Sequence, residues 1–204
     1  ASRSVLRRVL ALYEKEGLRP VIAPEVEFYL IQKNIDPDYE LKPATGRSGR
    51  RETARQSYSI DAVNEFNPVI DTLYNYCEAQ GLDVDTLIHE SGAAQMEINF
   101  LHGDALNLAD QVFVFKRTLR ETALKHDMYA TFMAKPMQRE PGSSMHIHQS
   151  LIDVKTGKNI FAGSKEGEFS EAFYHYVGGL QQYTNNAITF YAPNVNSYRR
   201  FAPD

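Results

Sequence analysis

The sequence lacks the features that mark most secreted, membrane-spanning and nucleic-acid-binding proteins. Its 204 residues contain one cysteine, so no internal disulfide can form, and a reducing compartment such as the cytoplasm is expected. No apolar run reaches the length of roughly 20 residues that a membrane-spanning helix needs. The net charge of −4 argues against nucleic-acid binding, which requires a clustered excess of lysine and arginine.

The composition that remains is that of an ordinary soluble domain. With 43% hydrophobic and 24% charged residues, the chain is long enough for one sizeable core. The first residues, ASRSVLRRVLALYEKEG, are amphipathic and do not resemble a signal peptide. The chain starts at Ala1 without an initiator methionine and stops at Asp204, just after a motif-rich stretch. Both ends are therefore expected to be cuts through a larger protein.

Hydrophobic periodicity and turn residues predict a chain that mixes helices with strands. The predicted helices cover residues 4–16, 60–80, 104 onward and about 170–191. The predicted strands cover residues 21–31, 84–89, 95–100, 129–134 and 144–152. Ser4, Ser59 and Asp104 are expected to begin helices, and Gly17 and Gly81 are expected to end them.

Three further expectations concern the helices. Pro68 predicts a break or kink in the second helix, because proline lacks the N–H that a helix interior needs. Cys77, in the same region, is expected to be a buried structural thiol. The pair Gly178-Gly179 predicts an interruption of the last helix, whose tyrosines and phenylalanines are expected to serve as core and packing residues.

Residues 32–58 predict a long loop that contains four arginines, Arg47, Arg50, Arg51 and Arg55. Loops of this length within a compact domain are usually functional or interfacial. A solvated surface is the favoured interpretation of the arginines, and contact with phosphate or with another subunit is the alternative.

Three of the predicted strands each combine an apolar face with a face of possible ligands, because alternate residues of a strand point to opposite sides. The apolar faces hold Ile22, Val26, Phe28 and Leu30, then Met96, Ile98 and Phe100, then Met145, Ile147 and Leu151. The opposite faces hold Glu25 and Glu27, then Gln95, Glu97 and Asn99, then Ser144, His146, His148 and Ser150.

If these strands lie in one sheet, their acids and one imidazole converge on a common side. The residues expected there are Glu25, Glu27, Glu90, Glu97 and His146. Four carboxylates so close together cannot all stay ionised at neutral pH unless cations compensate them. Carboxylates with one imidazole suit Mg²⁺ or Mn²⁺ better than Zn²⁺. The pattern by itself leaves a second interpretation open, since half-solvated antiparallel sheets alternate in this way without a metal.

The other histidines lack such a setting. His89, His102, His126 and His175 are interpreted as surface or satisfied core residues, with His102 a possible neighbour of a ligand.

Four segments of the chain resemble, in order, the signature segments of the glutamine synthetase superfamily. They are APEVEFYL, HESGAAQMEINF, KPMQREPGSSMHIHQSL and APNVNSYRRF. The resemblance implies an α/β (α+β) catalytic domain of the glutamine synthetase/guanido kinase-like type, with a curved, largely antiparallel sheet flanked by helices. Residues 1–204 would be its central part, without the family's amino-terminal domain and without the carboxy-terminal part of the catalytic domain.

The resemblance also implies roles for individual residues. One divalent metal, Mg²⁺ or Mn²⁺, would be held by Glu27, Glu90 and Glu97, and a second by Glu25, His146 and a glutamate beyond Asp204. ATP would lie against His148 and Ser150. Gly142 would contact the glutamate substrate, and Arg200 would steady its carboxylate and the transferred phosphoryl group. Arg200 and Glu27 are the expected catalytic residues.

The family chemistry begins when ATP phosphorylates the γ-carboxylate of glutamate, and an amine then displaces the phosphate. Two stretches, GRSGRRETARQSYSIDAVNEF and HESGAAQMEINFLHGDALNLADQVFVFKRTLRETALKHD, resemble the branch that joins glutamate to putrescine, the γ-glutamylputrescine synthetases. Ordinary glutamine synthetases typically read N-G-S-G-M-H where this chain has Pro141 and Ser144 around Gly142. Putrescine is therefore the expected amine, although the residues that would hold its distal ammonium cannot be identified.

Three alternatives stay open beside this interpretation. The first is a glutamine synthetase that uses ammonia, and the second is a non-catalytic structural relative. The third, a two-metal hydrolase, is disfavoured because no motif supplies a nucleophile beside the acids. The resemblance further implies rings of subunits with active sites between neighbours, so this piece alone is expected to be inactive.

Overall fold

The computed structural model describes residues 2–201, which form two compact units. Residues 2–23, 102–109 and 147–194 make up the first unit. Residues 24–101, 110–146 and 195–201 make up the second unit.

The described residues form helices, one short 3₁₀ turn and strands that are assigned to one six-stranded sheet. The helices are α1 (Ser2–Lys15), α2 (Ile60–Asn64), α3 (Asn67–Ala79), α4 (Ala105–Lys125), α5 (Glu171–Tyr191) and α6 (Val195–Tyr198), which the 3₁₀ turn Arg199–Phe201 follows. The strands are β1 (Leu18–Gln32), β2 (Val84–His89), β3 (Gln95–Phe100), β4 (Gly103–Asp104), β5 (Met128–Thr131) and β6 (Met145–Asp153). None of the helices in this described part is long and apolar enough to cross a membrane.

In the second unit, strand β1 is paired along both edges. Glu25–Tyr29 pairs antiparallel with β3, and β2 pairs antiparallel with the other edge of β3. The opposite edge of β1 pairs antiparallel with β5, where Tyr29 lies across from Thr131. Just before β6, the Ser144 carbonyl accepts a hydrogen bond from the Glu27 N–H at 3.2 Å. This mixed helix–strand fold with an antiparallel sheet confirms the predicted fold class.

The core of the second unit is aromatic on one side of β1. The ring of Phe115 on α4 packs against Phe28, Phe100 and Phe132, with centroid distances of 6.4, 5.4 and 6.5 Å. The other side of β1 is covered as well, because Tyr29 and Ile31 pack with Met137. Both faces of this strand are therefore buried, and an acid on the polar face is withdrawn from water.

The first unit pairs the start of β1 with β4 and places α5 beside the end of β6. Val21 and Ile22 lie across from Asp104 and Gly103. Ser170 caps α5, because its side chain accepts from the Phe173 N–H. Phe161 packs edge-on against Phe173, with 5.9 Å between the ring centroids.

Two predictions about the last helix are wrong. Helix α5 runs through Gly178-Gly179 without a break, since both glycines adopt helical rather than left-handed backbone angles. None of its described residues is buried, and Tyr183 is 60% exposed. The tyrosines and phenylalanines of α5 thus do not form the predicted core, whereas their predicted packing role is confirmed at Phe173 and Tyr176, whose rings contact the buried Phe161.

Other sequence predictions are confirmed at the helix ends. Ser59 caps α2 by accepting from the Ala62 N–H, and Asp104 accepts from the Asn107 N–H at the start of α4. Pro68 lies in the first turn of α3, where its missing N–H removes no helical bond. Cys77 is buried, and burial raises the pKa of its thiol to about 11.

Two finer predictions are wrong. Ser4 lies inside α1 and does not cap it, because the helix already begins at Ser2. Strand β5 ends at Thr131, short of the predicted residue 134. The apolar residues Met145 and Ile147 of β6 are exposed.

Candidate metal centre and active site

Strand pairing in the second unit brings two acids and one histidine together. In the register of β1 and β3, Glu25 lies across from Asn99, and Glu27 lies across from Glu97. His146, near the start of β6, places its Nδ1 3.2 Å from Glu25 Oε2. Glu25, Glu97 and His146 each offer a ligand atom, and these atoms lie within 4.8 Å of one another. We call these three residues the ligand cluster.

The electrostatics of the cluster favour a cation. Glu97 is 5% exposed. Burial and then the carboxylates of Glu25, Glu90 and Glu27 together raise the pKa of its carboxyl to about 7, against the opposing effect of His146. Burial, followed by repulsion from Glu27, also raises the pKa of Glu90. Without a cation, the negative charges of these buried and mutually repelling carboxylates lower the stability of the folded state.

Glu27 and Glu90 border the ligand cluster but are not among the three residues whose ligand atoms meet. Glu27 is buried, and its Oε2 accepts from the Ser144 N–H at 3.0 Å. Glu90 Oε2 accepts from the N–H of Ser91 at 3.2 Å. All five residues predicted as metal ligands thus lie in one region, but the grouping of Glu97 with Glu25 and His146 differs from the predicted division between two metals.

Gln95 lies among the acids of the metal region, although the sequence analysis only placed it on a face of possible ligands and gave it no role. Its side chain is 1% exposed, and its Nε2 donates to Glu27 Oε2 and to the Gly142 carbonyl, each at 3.1 Å. Its Oε1 accepts from the Gly92 N–H at 2.9 Å. The only signal in the sequence was its place two residues before Glu97, on the same strand face. Gln95 therefore links an acid of the metal region to the loop that precedes β6.

That loop contains Gly142, one predicted contact to the glutamate substrate, and the other, Arg200, contacts the loop from the 3₁₀ turn Arg199–Phe201. Arg200 Nη2 donates to Ser144 Oγ at 2.6 Å. A Cβ added at Gly142 would lie 2.6 Å from the carbonyl oxygen of Ala134 and 2.6 Å from Cγ of Arg200. The loop and Arg200 can approach this closely only because residue 142 is glycine.

His148 and Ser150, the predicted nucleotide contacts, follow His146 on β6 and belong to the first unit. His148 is exposed and Ser150 is half-buried. Their role stays a prediction.

The remaining histidines behave as expected. His89 is a buried core residue hydrogen-bonded at both ring nitrogens. His126 contacts the hydroxyl of Thr72, and the exposed His175 pairs with Glu171. His102 is exposed.

The donor set fits a divalent cation. Two carboxylates and one imidazole within reach of one point are ligands that Mg²⁺ and Mn²⁺ accept, whereas thiolates or several histidines would favour Zn²⁺. Asn99 lies across from Glu25, and its Oδ1 is a buried acceptor that receives no hydrogen bond within the described residues. A buried oxygen left unsatisfied beside two acids is what a cation or its bound water would stabilise.

The chain is similar along its whole length to proteins of one family. Residues 1–204 match the family described as "Glutamine synthetase, catalytic domain". The γ-glutamylputrescine synthetase PuuA of Escherichia coli (strain K12) is 38% identical over 204 residues, which are 98% of this chain and 43% of that protein. A glutamine synthetase of Pyrococcus horikoshii is also 38% identical, over 98% of this chain and 42% of its own length.

A solved structure described as a GmaS/ADP complex has a TM-score of 0.83 and 30% identity, and the match covers 97% of this chain and 44% of that one. The chain thus spans less than half the length of the relatives it matches. The family match nevertheless extends over every residue of the sequence. The chain belongs to the glutamine synthetase family and matches its catalytic domain.

Proposed function

We propose that the protein containing this chain is an ATP-dependent ligase that joins the γ-carboxylate of glutamate to an amine through γ-glutamyl phosphate. The observation that carries the proposal is the convergence of Glu25, Glu97 and His146, with Glu97 buried among further acids. A family member that had lost catalysis would gain stability by losing such mutually repelling carboxylates. Their retention favours an enzyme over a structural relative.

The ligand cluster, with Glu27 and Glu90 beside it, would hold Mg²⁺ or Mn²⁺. A bound divalent cation would supply neutralisation of the phosphate charge, which transfer between two anions requires. Glu25, Glu97 and His146 provide the donor atoms, and Gln95 and the Ser144 N–H hold Glu27 in place. His148 and Ser150 are the proposed nucleotide contacts.

Arg200 and Gly142 would serve the glutamate substrate. The Arg200 guanidinium is already directed to the loop by its bond to Ser144 Oγ. There it can donate hydrogen bonds to a carboxylate or to the transferred phosphoryl group, and its positive charge can offset their negative charge. Glu27 is the acid proposed to act in catalysis beside it, and the glycine at 142 leaves backbone accessible to the substrate.

Putrescine is the amine we propose, because the sequence around the long loop and β3 resembles the putrescine branch. Ammonia is the second candidate, favoured by the equal identity to a glutamine synthetase. The test is ADP release by the full-length protein with glutamate, ATP and either putrescine or ammonium. We expect kcat/KM for putrescine to exceed that for ammonium at least tenfold. Equal or better turnover with ammonium would replace putrescine by ammonia.

We further propose that residues 1–204 are the central part of a larger catalytic domain, in a cytoplasmic protein that assembles into rings. Size measurement of the full-length protein in solution tests the assembly. The 204-residue piece alone is expected to show no ligase turnover. Turnover by this piece would contradict the proposal that the site requires parts outside it.

A further inference from the structure

The turn between β2 and β3, residues 90–94, is fastened by side chains from distant parts of the chain. This β2–β3 turn begins with Glu90, and β3 then carries Glu97 into the ligand cluster. The Ala93 N–H donates to Glu140 Oε2 at 3.1 Å, and the Ala94 N–H donates to Glu52 Oε2. Two consecutive backbone donors thus each bind a carboxylate, one from the loop before β6 and one from the long loop after β1.

Of these two acids, Glu52 has a second contact near the turn. Its side chain is 7% exposed, and its Oε2 also lies 3.0 Å from Nε2 of the buried His89. Nδ1 of His89 lies 2.7 Å from the carbonyl oxygen of Glu90. One carboxylate therefore reaches both ends of the β2–β3 turn, directly at Ala94 and through His89 at Glu90.

The backbone at Ala94 explains why the turn needs such a contact. Ala94 has a φ of 57°, a left-handed conformation that is unfavourable for a residue with a side chain. Its N–H is held by Glu52, and its carbonyl oxygen accepts from the Leu30 N–H at 3.0 Å. A strained residue persists only where its surroundings hold it on several sides.

The long loop is also attached to the turn beside Glu52. The Tyr58 N–H donates to the carbonyl oxygen of His89 at 2.8 Å, and Ser57 Oγ donates to Ser91 Oγ at 3.2 Å. This part of the loop is therefore attached to the turn, although Ser57 and Tyr58 themselves are exposed.

We propose that Glu52 is a positioning residue, whose buried carboxylate fixes the β2–β3 turn and thereby sets Glu90 and Glu97 for cation binding. The effect of Glu52 on cation binding rests on the proposed function. Its effect on the conformation of the β2–β3 turn does not depend on a metal. Burying one more carboxylate beside an acidic region is costly, and the hydrogen bonds at Ala94 and His89 offset that cost.

The test uses the full-length protein and the variants E52A, E52Q and E52D, with E65A as the matched control. Glu65 binds the N–H and hydroxyl of Ser48 in the same loop, and among residues 2–201 its carboxylate makes no hydrogen bond to the turn, so its loss loosens the loop alone. Two quantities are measured: hydrogen exchange of amides 90–95 without metal, and the Kd for Mn²⁺ by calorimetry.

E52A is expected to accelerate exchange at Ala94 at least tenfold and to weaken Mn²⁺ binding about 10- to 100-fold, as losses of residues that orient metal ligands do. E52Q keeps an oxygen that reaches Ala94 and should stay within about threefold of wild type. E52D keeps the charge but is too short, and it should resemble E52A. If E52A does not fold, the comparison of E52Q with E52D still tests the proposal, because only E52D is expected to lose the contact with Ala94.

Wild-type exchange and affinity in both E52A and E52D would overturn the proposal, as would an equal loss in E65A. If the wild-type protein binds no Mn²⁺ but E52A still accelerates exchange at Ala94, the proposed metal site is contradicted. The proposed role of Glu52 in holding the turn is then still supported.

Discussion

Glu27 and Glu97 lie directly opposite each other across the antiparallel pair of β1 and β3. Both side chains are buried, and like charges at such a position destabilise a sheet. A sheet selected only for stability would not place two acids there. The pairing makes sense for a site that receives positive charge from a bound ion.

The first prediction is that Glu97→Gln stabilises the metal-free protein while it abolishes cation binding. Gln is neutral and nearly the same size, so the charge that burial disfavours is removed. The gain in the free energy of unfolding at pH 8 should be about 1–3 kcal/mol. Urea denaturation in EDTA measures the stability, and calorimetry with Mn²⁺ measures the binding. The exposed Glu78→Gln on α3 serves as control and should change neither; a destabilised E97Q would contradict the account.

The second prediction concerns pH. The folded-state pKa of Glu97, about 7, lies above the ordinary value of 4.5. The folded state thus binds this proton more tightly than the unfolded chain, and the resulting stability is fully present below pH 4.5. It is lost as the pH rises through about 7, by about 3 kcal/mol in total.

Unfolding free energies of the metal-free protein between pH 5 and 8 check this prediction. The decline should be smaller in E97Q and smaller in saturating Mn²⁺, because Mn²⁺ replaces the proton. A decline of equal size in wild type and E97Q would assign the effect to other groups.

The third prediction is that Gln95→Leu destabilises the second unit. It removes one of the two donors to Glu27 Oε2, the donor to the Gly142 carbonyl and the acceptor of the Gly92 N–H, and each buried group left without a partner costs about 1–3 kcal/mol. The Mn²⁺ affinity should fall and KM for glutamate should rise, since Gln95 contacts both Glu27 in the metal region and Gly142 in the proposed substrate site. Gln182→Leu, on an exposed part of α5, is the control and should cost less than about 0.5 kcal/mol. An unaffected KM would show that Gln95 serves packing alone.

The fourth prediction compares two glycines. Gly142→Ala places a methyl group 2.6 Å from the Ala134 carbonyl oxygen and from Arg200 Cγ, so the loop or Arg200 must move. We expect kcat/KM for glutamate to fall at least tenfold. Gly178→Ala meets no atom within 4 Å and lies inside α5, where alanine is the better helix former by about 1 kcal/mol. Gly178→Ala should therefore raise the midpoint of thermal unfolding slightly. Normal activity of G142A would contradict the placement of Gly142 in the substrate site.

The strands that carry the site could be predicted because local rules govern them. The alternation of Glu25 with Val26 and of Glu97 with Ile98 is set by the pleat of the strand alone. The caps of α2 and α4 were predictable for the same reason, since a hydroxyl or carboxylate three residues before an N–H suffices. Such features depend only on near neighbours in the sequence.

What could not be predicted depends on residues far apart in the chain. The sequence does not reveal that Tyr29 and Met137 cover the second face of β1, nor that Met145 and Ile147 stay exposed. The place of Gln95 between Glu27 and Gly142 likewise needs the loop before β6, 47 residues further on. Apolar periodicity shows which side chains prefer burial but does not show what covers them.

The central claim, that Glu25, Glu97 and His146 share a divalent cation, is tested most directly by crystals of the full-length protein grown with Mn²⁺. The account predicts an anomalous peak with an oxygen of Glu25, an oxygen of Glu97 and a ring nitrogen of His146 each at about 2.1 Å. No peak at this point, with the three side chains directed away from one another, would contradict it.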